Sequence, residues 1–193
     1  LEKLLKKYQI ILASGSPRRQ QFFRDLNIPF KVELFDVKEL YPNHLQKEEI
    51  PEYLAKLKAA PFQDKLSENE IVITSDTIVW LDNQALGKPE NEQMAFEMLQ
   101  KLSGQTHEVY TGVVIKDTSG EHQLVDCTTV RFQELKLEDI IHYIEEHQAM
   151  DKAGAYGIQD WIGHIGIVEI RGSYTNVMGL PTQRLYPFLK TLS

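Results

Sequence analysis

Residues 10–19 read Ile-Ile-Leu-Ala-Ser-Gly-Ser-Pro-Arg-Arg, and the chain is organised around the local structure that they predict. The apolar, β-branched run at the start is typical of a buried strand. Ser16 is a favourable N-cap, and Pro17 fits the first turn of a helix, where its missing N–H costs nothing. Gly15 allows close approach of the backbone in the turn between them. The stretch therefore predicts a strand, a tight turn and a helix.

The predicted turn has the features of an anion site. A helix N-terminus directs free N–H groups and the positive end of the helix dipole outward. Ser14 and Ser16 add hydroxyl groups, while Arg18 and Arg19 add charged, forked donors that suit phosphate oxygens. The same residues also fit an ordinary capped helix with two surface arginines. This stretch alone leaves both interpretations open.

Strands and helices are interspersed along the rest of the chain. Strands are predicted at residues 29–34, 71–81, 106–116, 123–132 and 165–170, and helices at residues 51–60, 92–102, 137–147 and 181–190. Residues 117–121 are predicted to form a hairpin turn. This order favours an α/β fold with a mixed sheet. With no internal repeat and no linker, residues 1–193 are expected to form a single domain.

Asp76 interrupts the most apolar of the predicted strands, residues 71–81. A carboxylate in such a run is costly to bury without a partner. It is either a hydrogen-bonded residue at a bulge or a catalytic or metal-facing carboxylate at the end of the strand. Its position favours the second interpretation.

Composition narrows the classes of partner. The net charge of −7 argues against broad nucleic-acid binding, but it leaves room for a small basic pocket. Cys127 is the single cysteine, so no intrachain disulfide can form, and packing is its expected role. No apolar run reaches the ~18 residues of a transmembrane helix, and residues 1–8 lack the apolar core of a signal peptide. We expect a cytoplasmic protein with neither a nucleic-acid nor a membrane partner.

The segment Ser14-Gly15-Ser16-Pro17-Arg18-Arg19 resembles the signature of the Maf family, the septum-formation-inhibitor-like nucleoside triphosphate pyrophosphatases. Later segments match the same family in order: residues 75–77, 87–89, 102–104, 151–159 and 172–181. The resemblance covers the chain from about residue 10 to about residue 189. It implies a twisted mixed β-sheet with flanking helices and two lobes around a central cleft, similar to inosine triphosphatase-like proteins.

The resemblance also implies a reaction. Maf proteins cleave a nucleoside triphosphate between its α- and β-phosphates with the help of a divalent cation, usually Mg²⁺ or Mn²⁺. By this resemblance Asp76 is the proton acceptor, and Glu39 holds the metal together with Asp76. The residues expected to bind the triphosphate are Ser14, Ser16, Arg18, Arg19, Lys58 and Lys88. Each lysine, taken alone, also fits a solvated surface charge.

The motifs resemble the branch of the family that prefers dTTP and UTP. Thr77 and Gln159 match positions tied to base specificity, as does Arg18, and an amide offers both a donor and an acceptor to a base edge. Asp160 and Trp161 depart from the small residues expected there. Two other functions stay open: a non-catalytic, nucleotide-binding regulator of septum formation, and a pyrophosphatase for non-canonical purine triphosphates. The oligomeric state is also open, with a homodimer among the candidates.

Overall fold

The structure is a computed structural model that describes residues 1–147 and 149–192. Eight α-helices and seven strands lie within these residues. The helices are α1 (Glu2–Lys7), α2 (Pro17–Asp25), α3 (Glu49–Ala59), α4 (Glu92–Leu102), α5 (Leu137–Glu146), α6 (Trp161–Gly166), α7 (Tyr174–Val177) and α8 (Thr182–Thr191). The strands are β1 (Gln9–Leu12), β2 (Phe30–Val32), β3 (Glu70–Leu81), β4 (Gln84–Leu86), β5 (Thr106–Lys116), β6 (Glu121–Phe132) and β7 (Ile167–Arg171). Every described helix is too short or too polar to cross a membrane.

The strands form one mixed sheet in the order β2-β1-β3-β5-β6-β7, with β4 paired to β3. Strand β1 pairs in parallel with both β2 and β3. The pairs β3–β4 and β6–β7 are antiparallel. Helices lie between the other consecutive strands, whereas β3–β4 and β5–β6 are joined by short turns. The predicted mixed α/β class is therefore confirmed.

The chain divides into two compact units. Unit 1 comprises residues 1–76, 111–126 and 179 onward, and unit 2 comprises residues 77–110 and 127–178. Strands β3, β5 and β6 each pass from one unit to the other along the chain. Each unit has its own core: Leu12 and Phe23 belong to the cluster of unit 1, and Leu99 and Phe132 belong to that of unit 2.

The strand, turn and helix predicted from residues 10–19 are confirmed. Strand β1 ends at Leu12, and α2 begins at Pro17 with Ser16 as its N-cap. The Ser16 hydroxyl accepts a hydrogen bond from the backbone N–H of Arg19 at 3.5 Å. Phe23 is fully buried on the inner face of α2. Local signals were sufficient here because each acts over only a few residues.

Strand β3 differs from the prediction, because it runs without interruption through residues 75–77. Its polar side chains find partners inside unit 1. The Thr74 hydroxyl donates to the carbonyl oxygen of Ala55 at 2.6 Å, and the Ser75 hydroxyl donates to that of Gly179 at 3.2 Å. Asp76 therefore lies within a long strand rather than at the end of one.

Two smaller differences concern helices. Residues 161–166 form helix α6, which is not among the helices predicted from the sequence. Helix α3 begins at Glu49, two residues before its predicted start, and it buries Ile50, Leu54 and Ala55, whereas Tyr53 is 39% exposed.

Candidate active site

Asp76 is a buried carboxylate at the centre of the candidate site in unit 1. It is only 7% exposed. Burial raises the pKa of Asp76, while the positive charges of Lys58 and Arg19 act in the opposite direction and the negative charge of Glu39 adds to the increase. A carboxylate of raised pKa is a stronger base than one in water, so Asp76 is suited to accept a proton.

Lys58 joins two of the predicted carboxylates. Its Nζ lies 2.6 Å from Oδ1 of Asp76 and 3.1 Å from Oε2 of Glu39. Helix α3 fixes the lysine, since Ala55 and Ala59 of this helix pack against Val114 of β5. The side chain of Glu39 is 48% exposed and lies in the loop that precedes α3. The structure thus brings Glu39, Lys58 and Asp76 together.

Arg19 is held by backbone carbonyl groups. Its Nε donates to the carbonyl oxygen of Gly179 at 2.7 Å, and its Nη1 donates to that of Ser75 at 2.8 Å. Burial lowers the pKa of Arg19, and Arg18 adds to the decrease, whereas Asp76 and Glu39 oppose it. An arginine still carries its charge under these conditions. Arg19 is thereby a fixed positive charge, and it also ties β3 to the segment after residue 178.

The serines of the first motif organise its turn. Ser14 is 6% exposed, and its hydroxyl accepts a hydrogen bond from the backbone N–H of Ser16 at 3.3 Å. Nη1 of Arg19 lies 3.5 Å from the same hydroxyl, at the limit of a hydrogen bond. Arg18 is half-buried on the first turn of α2. The two serines thus order the turn before α2, and both arginines lie on the first turn of this helix.

The other three predicted residues belong to unit 2. Thr77 follows Asp76 on β3 and is half-buried. Lys88 is exposed in the segment after β4. The carbonyl oxygen of Gly87, next to it, accepts a hydrogen bond from the backbone N–H of Gly154 at 3.0 Å. The Gly-Lys-Pro segment is therefore attached to the loop that leads to Gln159.

Gln159 belongs to a polar network that the sequence did not reveal. Its Nε2 donates to Oδ1 of Asp160 at 3.0 Å. The other carboxylate oxygen, Oδ2, accepts a hydrogen bond from the Tyr143 hydroxyl at 2.8 Å and lies 3.3 Å from Nζ of the buried Lys152. Oε1 of Gln159 is buried and has no hydrogen-bond partner among the described residues. The one sequence signal was the presence of Asp160 where a small residue was expected.

His107 supports the same loop from the core of unit 2. It is 2% exposed, its ring stacks on Phe132, and its Nε2 lies 2.7 Å from the hydroxyl of Tyr156. Burial lowers the pKa of His107 to about 4, so its imidazole is neutral at physiological pH. A neutral ring in this position holds Tyr156 without bringing a charge into the core.

The histidines form no metal site in the described part of the chain, where no group of three or more His, Cys, Asp or Glu residues could hold a metal ion. The ring centroids of His142 and His147 lie 6.4 Å apart, although the two residues are five positions apart in the sequence. Helix α5 ends at Glu146, and the extended backbone of His147 turns its ring back toward His142. A helical spacing rule does not apply to a residue beyond the helix end.

Comparison with known proteins identifies the family to which the chain belongs. The family model described as "Maf-like protein" matches residues 9–192. A protein of Flavobacterium johnsoniae named dTTP/UTP pyrophosphatase is 54% identical over 192 residues, covering 100% of this chain and 99% of that protein. A protein of Phocaeicola vulgatus with the same name is 51% identical over 189 residues, covering 97% of this chain and 98% of that one.

A solved structure shares the fold at low sequence identity. The Staphylococcus aureus Ham1 protein matches with a TM-score of 0.56 at 16% identity, and the match covers 96% of this chain and 100% of that one. At this identity the likeness concerns the fold alone, and it agrees with the mixed sheet seen here.

Proposed function

The chain belongs to the family of Maf-like proteins, and from that premise we propose that it hydrolyses dTTP and UTP to the nucleoside monophosphate and pyrophosphate. Relatives about half identical to it over their full lengths bear the name dTTP/UTP pyrophosphatase. The observation that carries the proposal is the ion pair between the buried Asp76 and the half-buried Lys58, whose atoms Oδ1 and Nζ lie 2.6 Å apart. We treat residues 1–193 as one functional domain.

Asp76 is the general base in this proposal. It removes a proton from the water that attacks the α-phosphorus, and the bond from that phosphorus to the oxygen bridging it to the β-phosphorus breaks. The electron pair of the broken bond leaves with pyrophosphate. Burial raises the pKa of Asp76 and so strengthens it as a base, while Lys58 holds one of its oxygens in place.

Positive charges and hydroxyl groups bind the triphosphate. Arg19 is the best placed of them, because two backbone carbonyl groups fix its guanidinium before any ligand arrives. Such preorganised charge stabilises the developing charge of the leaving group without reorganisation during the reaction. The remaining members of this set are Ser14, Ser16, Arg18, Lys58 and Lys88.

Glu39 and Asp76 are the residues that we propose to hold a divalent cation, Mg²⁺ or Mn²⁺. The chemistry of this donor set fits, because carboxylate oxygens are the ligands that these hard ions prefer. One oxygen of each carboxylate already lies close to the same ammonium group, so their position attracts positive charge. Two carboxylates leave coordination sites for phosphate oxygens and water. When bound, the ion supplies charge that offsets that of the triphosphate.

Thr77 and Gln159 read the base in this proposal, and Arg18 contributes to specificity. The partner is a small nucleotide rather than a nucleic acid, in line with the net charge of −7. We further propose a cytoplasmic location, where nucleotide pools lie and the exposed thiol of Cys127 stays reduced. A homodimer stays a prediction.

The deciding experiment is product analysis by phosphorus NMR. The purified chain is incubated with Mg²⁺ and, separately, with UTP, dTTP, CTP and canonical and modified purine triphosphates. Monophosphate and pyrophosphate from UTP and dTTP are expected. Diphosphate and orthophosphate would contradict attack at the α-phosphorus. Nucleotide binding without turnover would favour a regulator, and a preference for modified purines would favour the other pyrophosphatase function.

A further inference from the structure

The side-chain amide of Gln159 has only one orientation available to it. Its neighbour within hydrogen-bond distance is Oδ1 of Asp160, at 3.0 Å. An ionised carboxylate only accepts hydrogen bonds, so the NH₂ group must face Asp160 and the carbonyl oxygen must face the other way. The sequence alone suggests that the amide offers both a donor and an acceptor to a ligand. In the structure its NH₂ group is occupied by Asp160, so the amide offers only its carbonyl oxygen, an acceptor.

Asp160 cannot turn away to release the amide. The Tyr143 hydroxyl donates to its Oδ2 at 2.8 Å, and Nζ of Lys152 lies 3.3 Å from the same oxygen. Gly157 closes the remaining side, since a Cβ at that position would lie 2.4 Å from Oδ2. The Tyr143 hydroxyl also accepts the backbone N–H of Gly157 at 3.1 Å. The carboxylate is therefore fixed by the loop itself and by α5.

The carbonyl oxygen opposite Asp160 lacks a hydrogen bond. Oε1 of Gln159 is buried and has no donor among the described residues. Buried acceptors without a donor are rare and costly in folded proteins, and a functional site is one of the places where they persist. The neighbours that cover this oxygen must shift for a ligand to reach it, and the hydrogen bond then gained offsets part of that cost.

The two kinds of pyrimidine base differ at the atom that such an acceptor would meet. Uracil and thymine carry a hydrogen on N3, which is a donor. Cytosine carries a lone pair on N3, which would face the oxygen of Gln159 as a second acceptor. A polar site rejects a base that leaves its buried group unpaired.

We propose that Asp160 is a positioning residue that fixes the Gln159 carbonyl toward the base, so that the site selects bases with an N3–H donor, uracil and thymine, over cytosine. This inference rests on the proposed function, in which Gln159 reads the base. It adds the hydrogen-bond polarity of that contact and the residue that sets it.

The test is the ratio of kcat/KM for UTP to that for CTP in Asp160→Asn. The new amide can donate its NH₂ group to Oε1 of Gln159, which allows the Gln159 amide to turn over and present its own NH₂ group to the base. The ratio should then fall by ~10–100-fold. Asp117→Asn is the matched control: it makes the same substitution at the carboxylate that accepts hydrogen bonds from the backbone N–H groups of Ser119 and Gly120 in the turn between β5 and β6. It should lower Tm and keep the wild-type ratio.

A second measurement uses the wild-type protein and does not depend on the folding of a variant. UTP methylated at N3 lacks the proposed donor, so its kcat/KM should fall toward that of CTP. In Gln159→Ala the methylated and unmodified nucleotides should be hydrolysed at more similar rates. Two results would overturn the inference and leave the pyrophosphatase function intact. One is equal wild-type kcat/KM values for UTP and N3-methylated UTP. The other is an unchanged ratio of kcat/KM for UTP to that for CTP in a folded Asp160→Asn protein. Failure of the wild type to hydrolyse UTP at all would instead refute the proposed function, and the inference with it.

Discussion

Mild acid should destabilise the protein through His107. The unfolded chain takes up a proton at this residue near its ordinary pKa of 6.5, whereas the pKa in the folded protein is about 4. Between these two values the unfolded state binds more protons than the folded state, so the free energy of unfolding falls as the pH falls. The loss begins near pH 6.5 and is complete below pH 4.

The size of the effect follows from the difference between the two pKa values. A difference of about 2.5 units corresponds to about 3.4 kcal/mol below pH 4, and about 2 kcal/mol of this is already lost at pH 5. The structural cause is the position of the ring, which is 2% exposed and stacked on Phe132 in the core of unit 2. A charged imidazole there has little water to stabilise it, and none of the described carboxylates contributes to its pKa.

The assay is urea unfolding at pH 7.5 and pH 5.0 for the wild type and for His107→Gln. Glutamine cannot titrate, yet its amide can still form a hydrogen bond with the Tyr156 hydroxyl. The wild type should lose about 2 kcal/mol more than this variant between the two pH values. His44→Gln removes an exposed histidine and should behave like the wild type. Equal losses in the wild type and His107→Gln would refute the reasoning.

The remaining predictions concern the site in unit 1 and the backbone of unit 2. Asp76→Asn should lower kcat by ~10²–10⁴-fold while the fold is kept, and near-normal turnover of UTP would remove the residue from the role of base. Because the pKa of Asp76 is raised, kcat should rise with pH only above pH 3.8, the ordinary pKa of an aspartate. This rise should be absent in Asp76→Asn. Chelation by EDTA should abolish turnover, and added Mg²⁺ should restore it. Arg19→Ala should lower Tm by roughly 5 °C, because two hydrogen bonds to backbone carbonyl groups are lost. Arg18→Ala is the control and should change Tm little. Similar Tm shifts of the two variants in differential scanning calorimetry would argue against the anchoring role of Arg19. Gly154→Ala should lower the free energy of unfolding by more than ~1 kcal/mol, since the φ angle of Gly154 is +66° and the new Cβ would lie 2.8 Å from Val79. Gly120→Ala is the control in urea unfolding, because a Cβ at Gly120 would meet open space.

Features that depend on neighbouring residues could be predicted from the sequence. The cap at Ser16 and the start of α2 at Pro17 involve atoms only three or four residues apart. Helix α4 has the predicted bounds, 92 and 102, because an Asn91 cap and an apolar face act together along one helix. The candidate site residues are predictions from motifs whose spacing along the chain reflects these local elements.

Features that depend on residues far apart in the chain could not be predicted from the sequence. From the sequence, the polar residues in the middle of β3 interrupt the predicted strand. The partners of Thr74 and Ser75, which are the carbonyl groups of Ala55 and Gly179, lie 19 and 104 residues away along the chain, and no local pattern reveals them. The orientation of the Gln159 amide depends on Asp160, whose own position depends on Tyr143, 17 residues earlier. No pattern in a single sequence reports which hydrogen-bond donor will meet which acceptor across such separations.

The division of the chain between the two units has a consequence for protein synthesis. The first and last helices share one core, in which Leu4 of α1 lies with Leu185 and Leu189 of α8. The carbonyl group that fixes Arg19 belongs to Gly179, which a ribosome adds 160 residues later. Nascent chains that stop before Gly179 therefore lack both the completed core of unit 1 and one of the two carbonyl groups that hold Arg19. Such a polypeptide lacks this carbonyl group until translation has passed Gly179, and products that end before this residue should be inert and open to proteases.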